Sequence, residues 1–76
     1  MTLLQADVGK RYVLRSIWLQ RDITRRLQML GMTPGVCVAV LNRKRSGSVI
    51  IKVRGARFAL GQKFAQGMEL EECSRG

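Results

Sequence analysis

Basic side chains are the residues of this sequence whose number and spacing point to chemistry, and that chemistry is the recognition of anions. The 76 residues carry a net charge of +9. The segment from Ile23 to Met68 has no Asp or Glu, and its nine basic residues are Arg25, Arg26, Arg43, Lys44, Arg45, Lys52, Arg54, Arg57 and Lys63. Such a field favours encounters with an acidic protein surface, the inner leaflet of a membrane or a nucleic acid.

The adjacent cations Arg43, Lys44 and Arg45 are the first candidates for a contact, because like charges repel one another unless an anion approaches them. Two further cations, at positions 25 and 26, lie on a predicted helix, and we expect the other basic residues to be solvated. Trp18, the single tryptophan, suits an interface anchor as well as a lid on one end of a small barrel. The candidate partner-binding residues are therefore Trp18, Arg25, Arg26, Arg43, Lys44 and Arg45.

A nucleic acid is the alternative partner, because small barrels bind single strands through a basic groove and exposed aromatic side chains. Tyr12, Phe58 and Phe64 are expected at least partly in the core, which leaves Trp18 as the one stacking platform. We therefore expect no stable nucleic-acid complex. The same scarcity argues against the recognition of proline-rich peptides in an aromatic groove.

Catalysis is not expected from this sequence. It has no histidine, no carboxylate pair at catalytic spacing and no glycine-rich phosphate loop with its lysine. Cys37 and Cys73 have neither a local base nor CxxC spacing, so we expect a small core residue and a terminal thiol rather than a disulfide. One chain cannot build a His/Cys zinc site alone. No cofactor is evident, and the residues leave metal binding unassigned.

A short amphipathic helix is predicted before residue 31. Its apolar face repeats at helical spacing, at Ile23, Leu27 and Leu30. Asp22 is predicted as the N-cap. Gly31 suits the left-handed position after the helix, and Met32 then packs back on Leu27 in a Schellman-type stop. Pro34 and Gly35 follow as the two central residues of a type II turn, so a strand must come next.

Five short strands are predicted, at residues 10–18, 36–42, 49–54, 57–60 and 68–71, with a glycine-containing hairpin at 45–48. The second strand is apolar on both faces and is therefore expected to be central. A brief helical turn before the last strand places Phe64 and Ala65 at the barrel end. The inward residues are Tyr12, Leu14, Val49, Ile51, Val53, Phe58, Leu60, Met68 and Leu70. This pattern predicts a mainly β fold: a small, strongly bent antiparallel barrel of SH3-like shape, with one helix after the first strand.

Length and composition are those of a single small domain. We expect residues 1–76 to form one domain with its core at about 3–71 and a flexible tail at 72–76. The longest apolar run, at residues 36–41, is too short to span a bilayer, and the amino terminus does not have the pattern of a signal peptide. The expected location is the cytoplasm. An exposed closing strand could pair edge to edge, so the expected state is a monomer or a weak homodimer.

The run LQMLGMTPG at residues 27–35, followed by the hairpin, FAL at 58–60 and AQGMEL at 65–70, resembles the FeoA family, the ferrous iron transport protein A domain. The resemblance covers about residues 3–71. Its structural motif is carried by Leu27, Leu30, Gly31, Met32, Pro34 and Gly35, which we interpret as fold-making residues rather than contacts. The chain departs from the family at the hairpin, where residues 43–48 replace the frequent Gly-Asp or Gly-Asn beside a proline.

The resemblance implies an SH3-like barrel in a small cytoplasmic accessory protein of bacterial ferrous iron uptake. Its implied partner is the cytoplasmic GTPase domain of a ferrous iron permease, with only indirect contact to the membrane. Because the same domain is also found at the carboxyl end of iron-dependent repressors, a transition-metal-binding regulatory domain is a further alternative. Ferrous iron is the one metal that the resemblance suggests. The family supplies no catalytic residues to transfer.

Overall fold

The protein is described over residues 1–73 by a computed structural model. A short 3-10 turn at Leu3–Gln5 precedes the regular elements. These are β1 (Arg11–Ile17), α1 (Arg21–Met29), β2 (Cys37–Arg43), β3 (Val49–Val53), β4 (Ala56–Leu60), α2 (Gln62–Ala65) and β5 (Met68–Glu72). The predicted mainly β class, with one helix after the first strand, is confirmed, and the strand ends agree to within a single residue.

All five strands lie in one antiparallel sheet with the order β4-β3-β2-β1-β5. The sheet bends because the register shifts in β1 between Leu14 and Ser16, and in β2 between Val40 and Asn42, and an extra residue in one strand kinks it. Within residues 1–73, β4 and β5 are the two edges and do not pair with each other. The bent shape is as predicted, but the barrel is not closed by pairing between its edge strands.

The core fills the concave face of the sheet. Alternate residues of the strands are buried there: Tyr12, Leu14, Val49, Ile51, Val53, Leu60, Met68 and Leu70, as predicted, and Val38 and Val40 on β2, for which no inward face was predicted. Leu27 and Met32 cover one side of this cluster, while Leu3 and Ala65 are buried in it as well. Phe58 packs against the cluster but is only partly buried.

Three apolar residues predicted to be inside are not. Phe64 is 38% exposed, because α2 is a single turn and turns Ala65 inward instead. Cys37 is exposed, since it pairs in register with Val13 on the outer face of the sheet. The second face of β2 is therefore not buried, although the strand is central. Leu30 is 50% exposed, because α1 ends at Met29 and Leu30 becomes its C-cap.

The start of α1 differs from the prediction by two residues. The N-cap is Gln20, and its side chain makes no capping hydrogen bond. Asp22 is therefore not the N-cap but lies in the first turn, where its charge still suits the positive end of the helix dipole. The Thr24 hydroxyl donates to the Leu19 carbonyl oxygen over 3.2 Å, which ties this turn to the preceding chain.

The predicted helix stop and turn are confirmed. The Met32 amide donates to the Leu27 carbonyl oxygen and the Gly31 amide to that of Gln28, both over 3.0 Å, which is the Schellman pattern. Gly31 has a φ of 106°, in the region that favours glycine. The next turn is closed by the Val36 amide on the Thr33 carbonyl oxygen at 3.1 Å. Helix, turn and β2 are thus set by adjacent residues.

The carboxyl end of the described chain is more ordered than predicted. Glu72, assigned above to the tail, is the last residue of β5 and pairs in register with Tyr12. Cys73 follows β5 without regular structure, and residues 74–76 of the predicted tail lie outside the described residues. No helix in the described part of the chain has the length and apolarity needed to cross a membrane.

Candidate protein-binding surface

The outer side of α1 carries a shallow groove that combines apolar and basic side chains. Its lining residues are Asp22, Arg25, Arg26, Met29 and Leu30. Met29 is 81% exposed and Leu30 is 50% exposed. Because α1 buries only Leu27 fully, these two large apolar side chains remain in contact with water. Exposed apolar area next to cations is typical of an interface.

The arginines of this groove have no ion-pair partner within residues 1–73. The ion pairs found there are Met1 amine to Glu69 at 2.9 Å, Lys10 to Asp7 at 3.4 Å and Arg15 to Glu71 at 3.3 Å. Asp22 is three and four residues before Arg25 and Arg26, the spacing at which helical side chains meet, yet neither pair forms. The two positive charges are therefore directed at solvent.

A second groove lies between the end of β1 and the opposite flank of α1. Its lining residues are Ile17, Leu19, Arg21, Thr24, Arg25 and Gln28. Arg25 borders both grooves. Trp18 connects Ile17 to Leu19 and is 75% exposed. A lid would be buried, so of the two interpretations of Trp18 only the interface anchor agrees with its exposure.

We define the helix surface as the groove residues Arg25, Arg26, Met29 and Leu30 together with Trp18, which precedes α1 and lines neither groove. Met29 and Leu30 were missed as surface candidates by sequence reasoning. A signal for Met29 exists, since it stands two residues after the buried Leu27 and therefore points to another side of a helix with 3.6 residues per turn. Leu30 offered no such signal, because its spacing groups it with Ile23 and the buried Leu27 on the predicted apolar face.

The three cations of the β2-β3 hairpin do not act together. Arg43 is partly buried, and its guanidinium donates to the Leu4 carbonyl oxygen at 2.7 Å and to the Ala6 carbonyl oxygen. Its role is thus to bind the amino-terminal segment to β2, which corrects its interpretation as an exposed contact residue. Lys44 and Arg45 are exposed. No hydrogen bond or ion pair within residues 1–73 joins these two to α1.

The residues present do not fit a metal site. In the described chain, no group of three or more His, Cys, Asp or Glu side chains is placed to hold a metal ion. Cys37 is on the outer face of β2, and Cys73 follows the end of β5. Both thiols are free. We therefore assign no metal ligand, and no step of the proposed function below passes through a resident metal.

Architecture and surface together define the class: a small SH3-like β domain, with an exposed apolar and basic helix as its candidate docking surface. The sequence profile of the FeoA domain matches residues 1–72. The chain therefore belongs to the FeoA family, which is linked to ferrous iron transport. This is a family of small accessory proteins rather than a known family of enzymes. No curated protein sequence matches the chain.

Solved structures agree with this assignment. The FeoA protein of Chlorobium tepidum, solved by NMR, superposes with a TM-score of 0.91 over 100% of this chain and 73% of its own, at 22% identity. A crystal structure of an iron uptake regulatory protein, FeoA, gives a TM-score of 0.86 at 27% identity, covering 96% of this chain and 97% of its own.

A third similar structure is the zinc complex of FeoA from Stenotrophomonas maltophilia. It gives a TM-score of 0.80 at 28% identity and covers 93% of this chain and 89% of its own. That protein is described as a prokaryotic SH3 domain protein and a proposed activating factor of bacterial ferrous iron transport. The SH3-like shape of the present chain is thus shared with a relative.

Proposed function

We propose that this chain is a small cytoplasmic accessory protein of bacterial ferrous iron uptake, and that it docks on the cytoplasmic GTPase domain of a ferrous iron permease. The helix surface makes the contact. One observation carries the proposal: Met29, which is 81% exposed, lines the same groove as two arginines without ion-pair partners in residues 1–73. Iron enters this proposal as the cargo of the permease, and no metal ligand is assigned within residues 1–73.

The apolar part of the helix surface supplies the free energy of docking. Fully burying a Met or Leu side chain stabilises a complex by about 1.5–3 kcal/mol. Trp18 presents a still larger apolar area, and Trp is enriched among residues that dominate interfaces. Trp18 is held by its backbone hydrogen bond to Gly67, and α1 is held by the buried Leu27, so little ordering of the backbone is required on binding.

The charged part of the helix surface selects the partner. Arg25 and Arg26 favour an acidic surface, accelerate the encounter and disfavour a basic competitor. Lys44 and Arg45, exposed on the β2-β3 hairpin, are proposed as outer contacts that add to the long-range attraction. Arg43 is left out, because its guanidinium is already bonded to backbone carbonyl groups. We therefore expect affinity to fall as salt rises.

The family links the chain to iron transport, and the relative from Stenotrophomonas maltophilia is described as a proposed activating factor. A chain for which we assign no catalytic residue can activate a transporter only by binding it. The GTPase domain is the part of such a permease that changes state with its nucleotide. A protein bound there can favour one of those states, in proportion to its difference in affinity for the two.

Calorimetric titration against the isolated GTPase domain, loaded with GDP or with a GTP analogue, tests the proposal. We expect saturable binding that weakens between low and physiological salt. Replacing Arg25→Gln and Arg26→Gln should weaken it about tenfold. Lys63→Gln removes an exposed cation from α2, which contributes no residue to either groove, and serves as the control. Absence of binding in both nucleotide states would contradict the proposal.

A nucleic acid is the second candidate, since Trp18 is exposed and offers one base a stacking platform. One platform is few for a single-strand binder, so we still expect no stable complex. The fluorescence of Trp18 provides the test, because a stacked base would quench it. A quench by short oligonucleotides that disappears with salt would favour this alternative.

The metal-binding regulatory alternative lacks a donor set in the described residues. Zinc is a component of the Stenotrophomonas maltophilia structure, and nothing on the present chain is placed to reproduce a site for it. We propose a monomer or a weak homodimer, because the edges β4 and β5 are both short. Sedimentation of the free protein over a range of concentrations distinguishes the two states.

A further inference from the structure

Three exposed cations lie in register across the outer face of the sheet. In register, Arg57 on β4 lies opposite Lys52 on β3, Lys52 lies opposite Ala39 on β2, and Ala39 lies opposite Arg11 on β1. All three basic side chains are exposed. Four adjacent strands span about 14 Å at the usual spacing of neighbouring strands. We call Arg11, Lys52 and Arg57 the cation row.

The charge of the cation row is not compensated within residues 1–73, where no ion pair involves any of its members. The acidic residues of the outer face, Glu69 and Glu71, lie on β5 beside β1, and each already has a partner: Glu69 pairs with the Met1 amine and Glu71 with Arg15. Like charges directly opposite on neighbouring strands destabilise a sheet. An anion from outside would relieve this repulsion.

The outer-face residues near the cation row are apolar, and most of them have short side chains. Cys37 and Ala59 are exposed, Ala39 is half-buried, and Leu41 is also partly in water. Short side chains beside long cations leave the charged groups as the most prominent part of this face. The aromatic residues next to the row in sequence, Tyr12 and Phe58, lie on the opposite face of the sheet: Tyr12 is buried and Phe58 packs against the core. Bases of a nucleic acid would therefore find no stacking platform here.

We propose that the cation row binds the anionic headgroups of a membrane surface. A bilayer presents a plane of negative charges without fixed geometry, and three long, flexible cations on one sheet face match such a plane. A second copy of the chain is a poor occupant, because it would bring cations against cations. This surface is distinct from the helix surface, so a chain lying on the bilayer through its sheet keeps α1 free for a protein partner.

Co-sedimentation with vesicles tests the inference. The probes are vesicles of phosphatidylcholine mixed with phosphatidylglycerol and vesicles of phosphatidylcholine alone. We expect salt-sensitive binding to the mixed vesicles only. The triple variant Arg11→Gln, Lys52→Gln, Arg57→Gln should lose about a hundredfold in affinity, since each cation near an anionic membrane contributes about fivefold.

The matched control removes the same charge elsewhere, with Lys44→Gln, Arg45→Gln and Lys63→Gln. An equal loss in both triple variants would mean that only net charge matters, and would overturn the inference. So would a row-dependent affinity for poly-glutamate without affinity for the vesicles, which would indicate an acidic protein. The row triple variant should still bind the permease GTPase domain, which separates this inference from the proposed function.

A single substitution keeps the inference testable if the triple variant folds poorly. Lys52→Glu places a carboxylate directly opposite Arg57, and opposite charges at such positions stabilise a sheet. We expect a higher melting temperature together with lost vesicle binding. If Lys52 had only a structural role, the substitution would change the melting temperature and leave vesicle binding unchanged. Unchanged vesicle binding in a well-folded Lys52→Glu protein would overturn the inference.

Discussion

The backbone amide of Trp18 donates a hydrogen bond to the carbonyl oxygen of Gly67, over 2.6 Å. This contact joins the end of β1 to the residue that precedes β5, and it holds Trp18 by its backbone while the indole stays in water. The approach is so close that position 67 has no room for a side chain. A Cβ there would lie 2.5 Å from Leu19 Cδ2 and 2.9 Å from the Trp18 carbonyl oxygen.

Gly67→Ala should therefore destabilise the protein and displace Trp18. Overpacking of this kind costs about 1–3 kcal/mol, which thermal unfolding will detect, and the fluorescence maximum of Trp18 should shift as well. Gly61→Ala is the control, because nothing lies within 4 Å of a Cβ at that position. Equal melting temperatures for the two variants would contradict the assigned contact.

Arg43 gives a second prediction on stability. Arg43→Gln removes the hydrogen bonds to the Leu4 and Ala6 carbonyl groups and leaves partly buried acceptors without a donor. Hydrogen bonds to charged groups contribute about 1.5–3 kcal/mol, so urea unfolding should show a loss of about that size. Arg45→Gln, at an exposed position two residues on, should change stability by less than about 0.5 kcal/mol. A similarly small effect of both substitutions would contradict the stabilising role assigned to the hydrogen bonds of Arg43.

Arg43 and the cation row are features that the sequence alone could not predict. Arg43 lies in a run of three cations, and the sequence suggests a shared, exposed role. Its true partners are 37 and 39 residues away, and no local pattern reports a contact at that separation. The cation row was missed for the same reason, since it exists only through the register of four strands.

Local signals, by contrast, were sufficient for the elements. The Schellman stop needs only Leu27, Gly31 and Met32, and the turn after it only Pro34 and Gly35, all within nine residues of sequence. Inward positions on β3 follow from simple alternation. Leu30 and Phe64 were misplaced although the helix stop was predicted, because their burial depends on how each helix is turned against the core, which apolar spacing along the sequence does not report.

The pair Lys10 and Asp7 predicts a measurable titration. A hydrogen bond from Lys10 to the Asp7 carboxylate, and then the charge of that carboxylate, raise the pKa of Lys10 above its ordinary value. A raised pKa contributes stability below the unfolded value, and that stability is lost as pH rises through the folded one. Asp7→Asn should lower the pKa of Lys10, as followed by NMR of its Nζ group. Global stability should hardly change, because the pair is exposed. Asp22→Asn, distant in sequence and on α1, is the control and should leave Lys10 unaffected.

Met29 and Leu27 lie two residues apart on α1, and they should separate binding from folding. Met29→Ala should leave the free energy of unfolding within about 0.5 kcal/mol of the parent, because the side chain is 81% exposed. Its affinity for the permease GTPase domain should nevertheless fall about tenfold. Leu27→Ala removes a buried side chain and should cost about 2–5 kcal/mol of stability. Calorimetry at a temperature where both variants remain folded checks the pair. Full affinity in Met29→Ala would show that α1 docks through another face, since a contact made by this groove must bury its most exposed apolar residue.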